Sequence, residues 1–190
     1  MHTSRWYFAI ATGLIILDQL LKFLVKGGTI MGLHQDGMYI GESFPLIGEA
    51  VRITFVENPG MAFGISWGSA KIVLTLLTIV IASALAYVVH TRTDSTKLER
   101  TSFMLIFAGA VGNLIDRMFY GVFYDEAPLF EGRVVDFLQI DIPDVTWLGV
   151  EYTHFPVFNL ADSCVSIGVV LMIIASFLVK PAELPAKSDL

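Results

Sequence analysis

The chain has 190 residues, of which 55% are hydrophobic and only 16% charged, against roughly 25% charged in soluble domains. That balance excludes a disordered chain and an ordinary soluble domain, and it places the protein in a lipid bilayer. A net charge of −6 argues against nucleic acid, and one cysteine with four scattered histidines argues against a disulfide framework, a metal site or a metal cofactor.

Spanning helices need about 20 mostly apolar residues, and the chain offers four such runs, over 6–25, 72–89, 103–119 and 155–179. The first has the basic flank of a signal peptide in Arg5. Asp18 and Lys22 interrupt its apolar run and no clean small-residue cleavage site follows, so it reads as an uncleaved helix. After it, residues 26–69 form a long loop punctuated by Gly27, Gly28, Gly32, Gly37, Gly41, Pro45 and Gly48. Within that loop 51–56 alternates up to Phe55, which predicts a short strand with one apolar face, and Asn58-Pro59-Gly60 reads as a turn.

The second span leads into a short basic segment holding Arg92, Lys97 and Arg100. The third is the shortest run; its Gly109-Ala110-Val111-Gly112 is a close-packing face on the bland reading, and Asn113, Asp116 and Arg117 sit near its far end. A second long loop, 120–154, contains Val134-Val135-Asp136-Phe137, a carboxylate inside an apolar tetrad that predicts a strand or a buried turn. The fourth span carries Asn159 and Asp162 early, and 181–190 reads as a disordered tail. The predicted fold class is an all-α membrane protein: four transmembrane helices, a small β-sheet (a cradle) in the first outer loop, a long second outer loop, and one domain over 1–180.

Arg5, Arg92, Lys97, Arg100, Lys180 and Lys187 fall on one side, in short segments, while Lys26, Arg52, Lys71, Arg117 and Arg133 are spread over the opposite side. The denser side is cytoplasmic by the positive-inside rule, so both termini are predicted there. With that topology Asp18, Gln19, Lys22, Asn113, Asp116, Arg117, Asn159 and Asp162 all lie near the outer ends of their helices, and the inner halves are bare of charge. Ionisable groups in spanning helices are costly and mark functional sites.

Simpler readings stand beside this one. Asp18 and Lys22 are spaced to neutralise each other, and Asp116-Arg117 could anchor at the interface with the arginine snorkelling. Ser163 and Cys164 read as packing residues, since a nucleophile needs a base and His154 is the only outer-side histidine near the fourth span. Asp136 and Asp162, if they meet, share one proton and form a general acid–base pair. The residues permit that pair without singling it out from Asp18, Asp116 or Asp141.

Five segments occur in one order: Asp18-Gln19-Leu20-Leu21-Lys22, Asn58-Pro59-Gly60-Met61-Ala62-Phe63, 109–117 ending Asn113-Leu114-Ile115-Asp116-Arg117, Val134-Val135-Asp136-Phe137 and Phe158-Asn159-Leu160-Ala161-Asp162. In these the chain resembles bacterial lipoprotein signal peptidase (signal peptidase II), an aspartic endopeptidase of the inner membrane. The resemblance implies catalytic Asp136 and Asp162; substrate-binding Asn58, Gly60, Asn113, Arg117 and Asn159; and Asp18, Lys22, Gly109 and Asp116 as structural support. It implies a prolipoprotein substrate bearing diacylglyceryl-cysteine, cut just before that cysteine, with globomycin as inhibitor, no cofactor, a monomer, and membrane lipid as surroundings. The segments 120–133 and 138–154 are longer than compact members of that family lead one to expect. Two rival classes remain: a transport or proton-relay protein, which predicts polar residues through the whole membrane depth, and a scaffold, which predicts self-sufficient ion pairs.

Overall fold

The computed structural model describes residues 2–30, 32–60, 71–92, 95–147 and 150–178. The predicted tail 181–190 and the Met61-Ala62-Phe63 portion of the second segment lie outside the described residues. Among the described residues, four helical stretches are long and apolar enough to cross a membrane: Ser4–Lys26, Lys71–Thr91, Lys97–Phe123 and Leu160–Leu178. They comprise α1 (His2–Lys26), α2 (Lys71–Thr91), α3 (Lys97–Ile115) continued by a π-helical turn (Asp116–Tyr120) and a single turn α4 (Gly121–Phe123), and α5 (Leu160–Leu178).

The predicted helix ends shift for local reasons. Helix α3 begins well before residue 103 because Thr96 caps it: its hydroxyl accepts from Glu99 N at 3.2 Å while the Glu99 carboxylate accepts from Thr96 N at 2.8 Å, a reciprocal box that nucleates a polar first turn which a hydropathy run does not register. Arg100 is therefore inside the helix and only 6% exposed, so it is not a loop residue and the ends of the spans opposite the sheets are not bare of charge. Helix α5 begins later than 155 because Phe158 is still extended: it accepts from Leu138 N at 2.7 Å and donates to Leu138 O at 3.0 Å.

Among the described residues, six strands gather at one end of the bundle. β1 (Gly28–Ile30) and β2 (Leu33–Gln35) form a hairpin, and β3 (Ser43–Ile47), β4 (Val51–Asn58), β5 (Val134–Trp147) and β6 (Val150–His154) form an antiparallel sheet in that order. This corrects both the all-α label and the placing of the sheet in the first loop, since the second long segment supplies β5 and β6. The predicted strand over 51–56 is β4, and the tetrad around Asp136 opens β5. Between sheet and helices lies an apolar cluster of Val25, Phe55, Tyr120, Val135 and Phe137, which fixes β5 over the end of α3.

Helices α3 and α5 approach at contact distance through glycine. A Cβ on Gly109 would lie 2.2 Å from Ala161 O and 2.7 Å from Val165 Cγ2, and one on Gly168 would lie 3.0 Å from Ser102 O. The close-packing reading of the third span is what the fold uses. Gly109→Ala is expected to separate the two helices, lower stability by about 1–3 kcal/mol as overpacking does, and displace the first turn of α5. Gly13→Ala, where nothing lies within 4 Å, is the matched control and should be neutral or better. Thermal unfolding of the two variants in detergent measures the difference.

Candidate active site

Three elements carry the polar residues to the sheet-bearing end. From α1 come Asp18, Gln19 and Lys22, spaced so that they share one face. Lys22 and Asp116 are 0% exposed and Asp18 is 2% exposed. The Lys22 ammonium donates to Asp18 Oδ2 at 2.8 Å, to Asp116 Oδ2 at 2.8 Å and to Asn113 Oδ1 at 3.0 Å. All three of its donors are thereby used. The sequence reading that Asp18 and Lys22 neutralise each other holds, with Asp116 as a second anion. Asp116 is thus no interfacial anchor; it faces the bundle interior and also accepts from Val135 N at 3.2 Å.

That last bond fixes β5 one residue before Asp136. The register places Asp136 opposite Val56 and Val134 opposite Asn58, and the Leu138–Phe158 pairing brings the start of α5 alongside. Asn159, 0% exposed, then links the two carboxylates. Its Nδ2 donates to Asp136 Oδ1 at 2.7 Å and to Asn113 Oδ1 at 3.0 Å, and its Oδ1 accepts from Asp162 N at 2.9 Å. Its backbone N donates to Asp162 Oδ2 at 3.2 Å, and Asn113 Nδ2 donates to Asp162 Oδ1 at 2.8 Å. Asn159 and Asp162 thus cap α5 reciprocally, while Asp18 Oδ1 accepts from Ala161 N at 3.0 Å on the same turn.

The amide orientations follow from chemistry. Lys22 has no acceptor, so the Asn113 oxygen must face it and the Asn113 nitrogen must face Asp162. Lys22 therefore aims a donor at Asp162 through one intervening side chain.

Asp136 is 2% exposed. Burial, then the neighbouring charge of Asp162, pushes its carboxyl up to about 7, against opposing hydrogen bonds from Asn58 and Asn159 and the more distant charge of Lys22. The Arg117 guanidinium faces Asp116, Asp162 and Asp136 electrostatically, and its Nε is buried with no hydrogen-bond partner among the described residues. Gly60, at φ +93°, closes the turn after β4 and donates to Asn58 Oδ1 at 3.0 Å. A side chain there would strain that positive-φ turn.

Of the predicted residues, Asp136, Asp162, Asn58, Asn113, Asn159 and Arg117 converge, with Asp18, Lys22 and Asp116 behind them and Gly109 setting the approach of α5. Gly60 bears on the site through Asn58. Gln19 was recognised as polar but given no role; its Nε2 donates to Asp116 Oδ1 at 2.9 Å and its Oε1 accepts from Tyr120 Oη at 3.1 Å. Its position between Asp18 and Lys22 in an apolar run was the available signal. The nucleophile alternative does not assemble: Ser163 Oγ donates to Asn159 O at 3.0 Å, and His154 is exposed with its Nδ1 beside Phe155 O. A separate cavity of about 750 Å³ is lined by Gln19, Phe23, Tyr120 and Tyr124 among others, and neither Asp136 nor Asp162 lines it.

Comparison with known proteins agrees along nearly the whole chain. The family described as Signal peptidase (SPase) II matches residues 10–178. A lipoprotein signal peptidase of Chlorobium phaeobacteroides (strain BS1) is 36% identical over 168 residues, covering 88% of this chain and 93% of that protein. One from Porphyromonas gingivalis (strain W83) is 34% identical, covering 87% and 80%. Among solved structures, a bacterial membrane enzyme determined by the in meso method at 1.9 Å resolution is similar with a TM-score of 0.67 and 34% identity, covering 96% of each chain.

Proposed function

The chain belongs to the signal peptidase II family, and from that membership and the geometry above we propose that it is an aspartic endopeptidase that removes the signal peptide from prolipoproteins. The observation that carries the aspartic mechanism is the Asn159 side chain, bonded to Asp136 on one side and to the Asp162 backbone on the other. Asp136 and Asp162 share one proton between them. The ionised partner takes a proton from a water that attacks the scissile carbonyl, and the protonated partner gives its proton to the departing amine. Arg117 supplies positive charge toward the developing oxyanion, and Asn58 and Asn113 hold the substrate backbone beside it.

The substrate is a membrane helix ending in a diacylglyceryl-modified cysteine, so its scissile bond reaches the depth where α1, α3 and α5 collect these polar groups. The protein is a single membrane-embedded domain acting as a monomer in the bacterial inner membrane. Its termini lie in the cytoplasm and its sheets at the outer face. Arg5, Arg92 and Lys97 at the end opposite the sheets support that orientation, and exposed Phe44, Leu46 and Ile47 on β3 suit a sheet resting on lipid. The transport reading is disfavoured because the buried residues of α3 between Arg100 and Asn113 are Ser102, Met104, Ala108, Gly109 and Gly112; none of them ionises.

Cleavage of a purified prolipoprotein, with and without diacylglyceryl on its cysteine, tests the proposal. Only the lipidated substrate should be cut, globomycin should block the reaction, and serine-protease inhibitors and chelators should leave it unchanged. Equal cleavage of both substrates, or none by folded protein, overturns it. Because Asp136 holds its proton up to about 7, kcat/KM is expected to fall about tenfold per pH unit above that value. A profile flat from 6 to 9 would remove the shared-proton mechanism.

A further inference from the structure

Among the described residues, two cations, Lys22 and Arg100, are buried in very different ways. Lys22 has two carboxylates and an amide oxygen around it. Arg100, at the end of the bundle opposite the sheets, has none of these among the described residues. Its Nη2 donates to Ser4 Oγ at 3.2 Å, its guanidinium carbon lies 4.5 Å from the centre of the Tyr7 ring, and its Nε is buried with no hydrogen-bond partner among the described residues. No ion pair involves it among the described residues. Ser4 in turn donates to His90 O at 3.4 Å, so the starts of α1 and α3 and the end of α2 meet at this point.

A guanidinium carries five donors and is costly to bury without an anion. Its position makes the deficit larger, because Arg100 sits in the first turns of α3, where the helix dipole is positive. The exposed Arg5, Arg92 and Lys97 lie at the same end. Trp6 on α1 and Tyr87 on α2, 71% and 70% exposed, lie towards the same end, as amphipathic aromatics do at the boundary between hydrocarbon and headgroups. The abundant anion at that depth is the lipid phosphodiester, which a guanidinium grips through two parallel hydrogen bonds.

We propose that Arg100, with Ser4 and Tyr7, forms a binding site for the phosphate of an anionic membrane lipid at the end of the bundle away from the catalytic residues. A zwitterionic lipid would bring its own ammonium into the basic cluster, so phosphatidylglycerol is preferred over phosphatidylcholine. The site is independent of the peptidase reading, and its occupation ties α1, α2 and α3 together where the sheets cannot reach.

The experiment measures thermal unfolding of the full chain in a neutral detergent. Short-chain phosphatidylglycerol, short-chain phosphatidylcholine and inorganic phosphate are each titrated into wild type, Arg100→Gln and Lys97→Gln. Phosphatidylglycerol is expected to raise the wild-type midpoint by about 5 °C near saturation, and phosphatidylcholine to do far less. Arg100→Gln should lose most of the shift, while Lys97→Gln, which removes an exposed charge at the same end, should keep it. Equal shifts in wild type and Arg100→Gln, or equal losses in both variants, would reduce the effect to diffuse surface charge and overturn the site. Inorganic phosphate matching phosphatidylglycerol would assign the site to a free anion and overturn the lipid. Should Arg100→Gln fail to fold, native mass spectrometry of wild type from mixed lipid decides: one phosphatidylglycerol retained in preference to phosphatidylcholine supports the proposal, and no preference overturns it.

Discussion

Asp136→Asn and Asp162→Asn are each expected to lower prolipoprotein cleavage by about 10³-fold or more, with the protein still folded. The size follows from the role: members of a catalytic unit that act together each remove nearly the whole effect. Folding is spared because Asn retains an oxygen for the bonds that matter. At 136 it can still accept from Asn159 Nδ2; at 162 its one oxygen can still accept from the Asn159 backbone N and keep the cap of α5, while the bond from Asn113 Nδ2 is lost. The two variants differ in stability. The folded-state pKa of Asp136 is raised to about 7 from 3.8, so its contribution to stability is fully present below about pH 4 and declines as pH rises to about 7. Above that it is constant and unfavourable. Asp136→Asn removes this cost, so at pH 8 the variant should be more stable than wild type by on the order of 2–4 kcal/mol, and near pH 4 by little. Unfolding midpoints at pH 5 and 8, with single-turnover cleavage of a lipidated substrate, measure both effects. A variant with near-wild-type turnover would end the dyad assignment.

Lys22→Met is expected to cost about 3–5 kcal/mol of stability and most of the activity, although Lys22 touches neither Asp136 nor the proposed substrate path. The loss arises because Asp18 and Asp116 are left buried together without their cation, and because Asn113 loses one of the two donors that hold its oxygen, Asn159 Nδ2 being the other. An amide held by one donor instead of two positions its nitrogen against Asp162 less firmly. Combining Lys22→Met with Asp116→Asn should recover part of the stability, since fewer unpaired charges stay buried. It should not recover activity, because Asn113 still lacks the Lys22 donor. Unfolding midpoints and cleavage rates of the single and double variants test this, and a Lys22→Met protein of wild-type stability would refute the account.

Much of this was legible in the sequence because hydropathy and membrane cost are strong signals. The four runs of apolar residues stand out by length, and an Asp or Lys inside such a run needs a reason to be there. Asp18, Lys22, Asp116 and Asp162 were conspicuous on those grounds. Asp136 was less so: it lies outside the helices, and only the burial of Val134, Val135 and Phe137 around it makes its environment unusual. The pairing of Asp136 with Asp162 was not legible from spacing, because it depends on β5 joining β4 and on Phe158 joining β5, contacts between distant parts of the chain. The sheet was assigned to one loop for the same reason: alternation in 51–56 marks a strand without revealing its partner. Arg100 was placed in a loop because a polar first turn held by Thr96 and Glu99 reads as non-membrane by composition, although its capping residues were present to be read.

The pairing of Leu138 with Phe158 closes residues 139–157 into an excursion that leaves the site and returns to it at a fixed point. The number of residues separating the two aspartates along the chain is therefore decoupled from their separation in space. Strands β5 and β6 beyond that clamp can be trimmed or lengthened while the clamp keeps the carboxylates in register. That excursion is the natural splice point for anyone who wants to watch the molecule from outside the bilayer without disturbing its chemistry.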